Sequence, residues 1–131
     1  MLCAGVSAHS RFSDLPSLDY FKEVMEVNLY GYVYLTRYAL ESLRKTKGQI
    51  LAISSLSGTV GLPLRTHYCA SKFAVNGFFN SLRYEELDIS ITVAHPPTVR
   101  GTNFRKSSLL GPTSPIRADD DKAQPLDWTI D

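Results

Sequence analysis

The chain has little of what marks several large classes of protein. Its 131 residues include two cysteines and carry a formal net charge of +1. Cys3 and Cys69 have no metal-ligand spacing, so they predict no metal site and no disulfide framework, only buried, reduced thiols. The small charge argues against nucleic acid as a partner. No stretch is apolar over the length of a membrane span, and no signal peptide is visible.

The sequence also lacks a glycine-rich turn of either common dinucleotide-binding form, G-x-G-x-x-G or G-x-x-x-G-x-G. In proteins that have it, this turn lets a helix N-terminus approach a pyrophosphate group. Its absence predicts that the chain by itself binds a dinucleotide weakly. The hydrophobic fraction, 44% of the residues, is sufficient for one globular domain with a core.

Strand and helix patterns alternate along the first hundred residues. Aliphatic runs predict buried strands over 49–53 and 89–94, and a strand tail ends in the turn at 1–5. Apolar residues at helical spacing predict helices over about 17–45 and 65–87. This order predicts an α/β fold with a parallel sheet and right-handed crossovers. Both helices would then cover the same face of the sheet, leaving the other face bare.

Three side chains near the middle of the chain suit proton transfer. Tyr68 and Lys72 are four residues apart, so one helix face carries both. Ser55 follows the strand 49–53, at the strand end where open parallel sheets bind ligands. An ammonium beside a tyrosine lowers a pKa that is ordinarily about 10, and a hydroxyl can stabilise a developing alkoxide. The alternative is an exposed tyrosine and lysine on an ordinary helix.

These residues resemble the short-chain dehydrogenase/reductase family, in which a serine stands thirteen residues before the tyrosine of a Y-x-x-x-K motif, as Ser55 does here. The resemblance covers residues 1–104 and implies a partial Rossmann-type, doubly wound parallel sheet, an incomplete three-layer fold. It implies that Tyr68 is the acid/base, that Lys72 lowers its pKa and binds ribose, and that Ser55 holds the substrate oxygen. Residues 105–131 are expected to form an irregular tail.

Two further motifs carry the resemblance in the first part of the chain. Asn28 belongs to a V-N-x-x-G pattern and would support the lysine through a water molecule; the alternative is a satisfied buried amide. Ala4 and Gly5 match the end of an N-N-A-G motif whose asparagine positions hold Leu2 and Cys3. The resemblance implies cofactor contacts at both residues, and the alternative for them is a plain turn.

A third motif follows the strand 89–94. Pro96, Val99 and Thr102 resemble a P-G-x-[VI]-x-T segment whose backbone and threonine contact the nicotinamide end of the cofactor in the family. Pro97 stands where the family has glycine, and Gly101 is an additional residue, so the threonine comes one place late. Both departures weaken the expected contact.

The resemblance implies an oxidoreductase that uses NAD or NADP to interconvert a small alcohol and its carbonyl. The alternative is a truncated, inactive member of the family that acts through association, as a homodimer or with another chain, by the helices 17–45 and 65–87. The cytoplasm is the default compartment, and a membrane or organelle is expected instead if a targeting segment precedes residue 1.

Overall fold

The described part of the structure, residues 1–99 of a computed structural model, alternates helices and strands. Thr102 and the predicted tail 105–131 lie outside the described residues. Within residues 1–99, no helix is both long and apolar enough to cross a membrane. The main elements are α1 (Asp19–Met25), α2 (Gly31–Thr46), β1 (Gln49–Ile53), α3 (Thr66–Glu85) and β2 (Ser90–Ala94), with short 3-10 helices at Phe12–Asp14 and Leu56–Gly58.

The two strands pair in parallel, from Gln49 opposite Ser90 to Ile53 opposite Ala94. On the other edge of β1, Leu2 forms a parallel bridge with Ala52. The bridge is made by two backbone hydrogen bonds, from Leu2 N to the Leu51 oxygen at 2.8 Å and from Ile53 N to the Leu2 oxygen at 2.9 Å. The prediction of a parallel α/β sheet is therefore confirmed, and the N-terminal residues continue that sheet.

The core lies between one face of the sheet and the helices α2 and α3. Side chains of a strand alternate between the two faces, so Ile50 and Ala52 are buried while Leu51 and Ile53 are only half-buried. The predicted placement of both helices on one face agrees with this pattern. The buried cluster consists of Tyr32, Leu40, Ile50, Ala52, Val75, Phe79, Leu82, Ile89 and Ile91.

The helix predicted over 17–45 contains an irregularity that its sequence did not reveal. Between α1 and α2, residues Glu26–Tyr30 form a π-helical turn, so the two helices are continuous but differ in register. Such turns are rare and are found most often near functional sites. Asn28 lies in this turn with its side chain fully buried, which makes the turn part of the site below.

Candidate functional site

A cavity of about 290 Å³ lies at the carboxyl ends of β1 and β2. Of the predicted site residues, Ser55, Tyr68, Lys72, Pro96 and Val99 line it. Among the described residues, Ala4, Gly5 and Asn28 do not line it, and Thr102 is outside the described range. The described lining consists of Cys3, Ile53, Ser54, Ser55, Ser57, Leu62, Arg65, Tyr68, Lys72, Pro96, Pro97, Thr98 and Val99.

Ser55 is positioned by the turn that follows β1. Its backbone is extended, and its Oγ accepts a hydrogen bond from Ser57 N at 3.1 Å, which caps the 3-10 helix Leu56–Gly58. Because Oγ acts as the acceptor in the cap, its own hydrogen can be donated toward Tyr68, with which Ser55 forms a side-chain hydrogen bond.

The turn lies directly against the backbone of α3 at Gly58. A Cβ at this position would lie 2.8 Å from the Lys72 carbonyl oxygen and 2.9 Å from Ser54 Oγ, closer than real Cβ atoms approach. Asn76 Nδ2 donates to the Gly58 oxygen at 2.7 Å, and Ser54 Oγ donates to the Lys72 oxygen at 3.4 Å. Glycine is therefore required for the contact that sets the distance between Ser55 and α3.

Tyr68 is buried in the cavity wall, with 5% of its surface exposed. Burial raises the pKa of its phenol, while a hydrogen bond with Ser55 and the charge of Arg65 act in the opposite direction. The Arg65 Cζ atom lies 5.2 Å from the centre of the Tyr68 ring. The sequence predicted a pKa lowered by Lys72, and that prediction is wrong for this structure, because burial dominates and the opposing groups are Ser55 and Arg65.

Lys72 is buried beside the tyrosine, with 3% of its surface exposed. Its Nζ donates to the Ile53 carbonyl oxygen at 3.1 Å and lies 5.9 Å from the centre of the Tyr68 ring. Burial lowers the pKa of Lys72 from 10.5 to about 8. An ammonium has three N–H donors, and within residues 1–99 only the Ile53 oxygen accepts one. The remaining donors suit neighbouring hydroxyl groups such as those of a ribose.

Asn28 lies behind the cavity wall and connects the N-terminal loop to α3. Its Nδ2 donates to the Val6 oxygen at 3.1 Å and to Ser71 Oγ at 3.0 Å, while its Oδ1 accepts from Val6 N at 2.8 Å. Ser71 Oγ in turn donates to the Tyr68 carbonyl oxygen at 2.7 Å. The side chain is thus a satisfied buried amide next to the helical turn that carries Tyr68 and Lys72, and its support of Lys72 stays a prediction.

Two lining residues were missed by sequence reasoning. Cys3 was predicted to be buried, but it is exposed and lines the cavity. Arg65 had no assigned role, although it stands three residues before Tyr68 at the start of α3, a spacing that places side chains near one another. Among residues 1–99, no group of three or more His, Cys, Asp or Glu side chains could hold a metal ion.

Comparisons with known proteins identify the family of the chain. A family model described as short chain dehydrogenase matches residues 1–111. The 3-dehydrosphinganine reductase of Danio rerio is 36% identical over 113 residues, which are 84% of this chain and 34% of the relative. The chain therefore spans about a third of the length of such curated relatives.

Two solved structures of similar fold contain nicotinamide cofactors. An alcohol dehydrogenase from the archaeon Thermococcus sibiricus, complexed with 5-hydroxy-NADP, superposes with a TM-score of 0.75 and 28% identity over 80% of this chain and 44% of its own. A 4-hydroxyisoleucine dehydrogenase complexed with NADH and succinate superposes with a TM-score of 0.68 and 31% sequence identity, over 73% of this chain and 46% of its own.

The close approach at Gly58 predicts the effect of adding one methyl group there. Gly58→Ala should lower the free energy of unfolding by about 2 kcal/mol, because the new Cβ overlaps the Lys72 carbonyl oxygen, a backbone atom that cannot move independently. Gly61→Ala is the matched control, since a Cβ at Gly61 meets no atom within 4 Å. Urea denaturation measures both variants, and equal stability of the two would contradict the proposed contact.

The lowered pKa of Lys72 predicts a stability that depends on pH. Between about pH 8 and pH 10 the unfolded chain holds a proton on this group that the folded chain has lost, so the free energy of unfolding rises with pH. The variant Lys72→Met lacks the titrating amine, while all other titratable groups of the protein remain in place. The stability of the wild type relative to this variant should increase by about 2 kcal/mol over that range. A constant or falling difference in urea denaturation would contradict it.

Proposed function

Because this chain belongs to the short-chain dehydrogenase family, we propose that it carries the catalytic residues of an oxidoreductase that uses NAD or NADP to interconvert a small alcohol and its carbonyl. The observation that supports the proposal most directly is that Ser55, Tyr68 and Lys72 line the same cavity. The nicotinamide cofactors bound in similar structures support the cofactor class.

In this proposal Tyr68 exchanges the proton and Ser55 orients the reacting oxygen. During reduction, Tyr68 Oη donates its proton to the carbonyl oxygen as that oxygen gains negative charge; during oxidation, the same atom accepts the alcohol proton. The raised pKa keeps the phenol protonated at neutral pH, which is the form that reduction needs. The Ser55 hydroxyl donates to the same substrate oxygen and stabilises its developing charge. The nicotinamide, when bound, supplies or takes the hydride.

The residues that would hold the cofactor are those around its nicotinamide and ribose. Lys72 would donate to the ribose hydroxyls with the N–H groups that Ile53 does not use. Pro96 and Val99 would form the wall beside the nicotinamide. Ala4 and Gly5 remain proposed contacts on their motif alone, as does Thr102.

Asn28 would act as a positioning residue. Its amide holds Ser71, whose hydroxyl donates to the Tyr68 carbonyl oxygen, and so it stabilises the helical turn from which Tyr68 and Lys72 project. This is an effect on geometry, because Asn28 is fully buried and does not line the described cavity.

Replacing the phenolic hydroxyl tests the proposed acid/base. Tyr68→Phe should lower kcat by about 100-fold or more, because a general acid of this kind contributes at least that factor. The assay follows NADH or NADPH absorbance with a panel of ketones and aldehydes, and the reverse reaction with alcohols. Tyr84→Phe is the matched control, since 82% of Tyr84 is exposed on the same helix. A Tyr68→Phe rate equal to that of the wild type would contradict the assignment.

A second candidate function is association without turnover, and exposed side chains on α2 and at the end of the π turn before it favour this candidate. Tyr30, Tyr34 and Tyr38 recur every fourth residue and are 42%, 54% and 86% exposed, with Leu35 beside them at 59%. The rings of Tyr30 and Tyr34 stack at a centroid distance of 6.1 Å. An exposed apolar patch of this kind is typical of an interaction surface. We call these four residues the α2 patch; it lies within the helix predicted to make the contact.

Charge introduced into the α2 patch tests this candidate. A chain that associates through the patch should sediment as a dimer or with a longer relative, and the double change Tyr34→Lys and Tyr38→Lys should return it to the monomer. Phe12→Lys is the control, since Phe12 is 53% exposed and lies outside the patch. Analytical ultracentrifugation is the measurement, and a wild type that stays monomeric and unpaired would exclude the candidate.

A further inference from the structure

We propose that Tyr32 is a positioning residue for Lys72: its hydroxyl shares one carbonyl oxygen with the lysine ammonium and so fixes the direction from which that ammonium reaches a ribose. The inference rests on the proposed function, because it takes Lys72 as the contact of the ribose. It goes further by assigning a role to a buried tyrosine of α2 that does not belong to the described lining of the cavity.

The carbonyl oxygen of Ile53 receives two side-chain donors. Tyr32 Oη donates to it at 3.1 Å, and Lys72 Nζ donates to it at 3.1 Å as well. A carbonyl oxygen has two lone pairs, so the phenol occupies one of them and leaves the other for the ammonium. Lys72 therefore approaches the end of β1 from one side only, with one of its three N–H groups bound and two directed elsewhere.

The aromatic ring of Tyr32 is a second contact for the same ammonium. Lys72 Nζ lies 5.7 Å from the centre of the Tyr32 ring and 5.9 Å from the centre of the Tyr68 ring. A cation at about 6 Å or less from the centre of an aromatic ring is attracted by the quadrupole of that ring. Tyr32 thus holds the ammonium through its ring as well as through the shared oxygen, and it does so next to the proposed acid/base.

Tyr32 is itself held firmly in place. It is the second residue of α2, directly after the π turn, and only 1% of its surface is exposed. Its ring packs against Phe79 of α3, with 6.3 Å between the ring centres. Burial raises the pKa of Tyr32 to about 12, so the hydroxyl keeps its hydrogen and remains a donor at neutral pH. A donor that neither moves nor titrates is suited to fix a charged neighbour.

A purely structural role for the Tyr32 hydroxyl makes a different prediction. In that case Oη only satisfies its own hydrogen bond at Ile53, and its removal would weaken the fold without changing Lys72. In a positioning role, its removal leaves the whole carbonyl oxygen to the ammonium and frees the ammonium to turn toward the water of the cavity. Both changes favour the charged amine, so the pKa of Lys72 should rise.

Nuclear magnetic resonance titration of the lysine side chains, on the full 131-residue chain, measures this pKa without cofactor or turnover. The Cε signal of Lys72 is assigned by its loss in Lys72→Met. In the wild type, Lys72 should titrate with a pKa of about 8. Tyr32→Phe keeps the ring and its packing against Phe79 but lacks the hydroxyl. In this variant the pKa of Lys72 should move upward, toward its ordinary value of 10.5.

Two further variants separate the shared oxygen from general effects of mutation in α2. Thr36→Val removes another buried hydroxyl from this helix, one without a hydrogen-bond partner among residues 1–99. Leu40→Ala removes a side chain of the same hydrophobic core and leaves a cavity there. Both variants keep the Tyr32 hydroxyl, so both should leave the pKa of Lys72 at its wild-type value.

Three results would overturn the proposal. One is the same pKa of Lys72 in the wild type and in Tyr32→Phe, and another is a lower pKa in that variant. The third is an equal rise in Leu40→Ala, which would assign the effect to a loosened core. The titration observes Lys72 whether or not the chain turns over. A failure of the proposed redox role, seen as unchanged turnover in Tyr68→Phe, is therefore distinguishable from a failure of the positioning role.

Discussion

The contact between the turn after β1 and the backbone of α3 determines the geometry of the whole site. The turn touches α3 at the Lys72 carbonyl oxygen, which accepts from Ser54 Oγ and lies where only a glycine at 58 leaves room. From the opposite direction, Lys72 Nζ donates to the last carbonyl of β1. The strand end and the helix are thus joined through both the backbone and the side chain of one lysine, and Tyr68, one turn earlier, is fixed with it.

Burial, more than the attraction between neighbouring charges, sets the protonation of the two central groups. It raises the pKa of Tyr68 and lowers that of Lys72 to about 8, so both shifts favour the uncharged forms. Tyr68 is therefore protonated at neutral pH and can act as a proton donor, while most Lys72 side chains still carry a positive charge. The Ser55 hydrogen bond and the Arg65 guanidinium act against the burial of the phenol, which gives the first turn of α3 an electrostatic role beyond packing.

The sequence predicted the helices and strands, and the side chains that meet in the cavity, better than it predicted the pKa shifts of those side chains. Strand 49–53 and the two long helices follow from local periodicity, and the thirteen-residue spacing of Ser55 and Tyr68 led to the family. The pKa of Tyr68 did not follow, because the cost of burial sums over many distant residues that a motif does not contain. Cys3 was placed wrongly for a related reason: its exposure depends on how the loop after Leu2 passes the cavity, and no local pattern encodes that path.

The π turn at Glu26–Tyr30 changes which side of the helix its residues face. An α-helix advances by about 100° per residue, so the additional residue of a π turn rotates everything before it by that angle relative to everything after it. This rotation lets the buried side of α1 and the buried side of α2 face the same core, with the Asn28 amide directed between Val6 and Ser71. A chain shorter by one residue here would keep a regular helix but turn that amide away from both partners, and the N-terminal loop would lose the hydrogen bonds by which Asn28 connects it to α3.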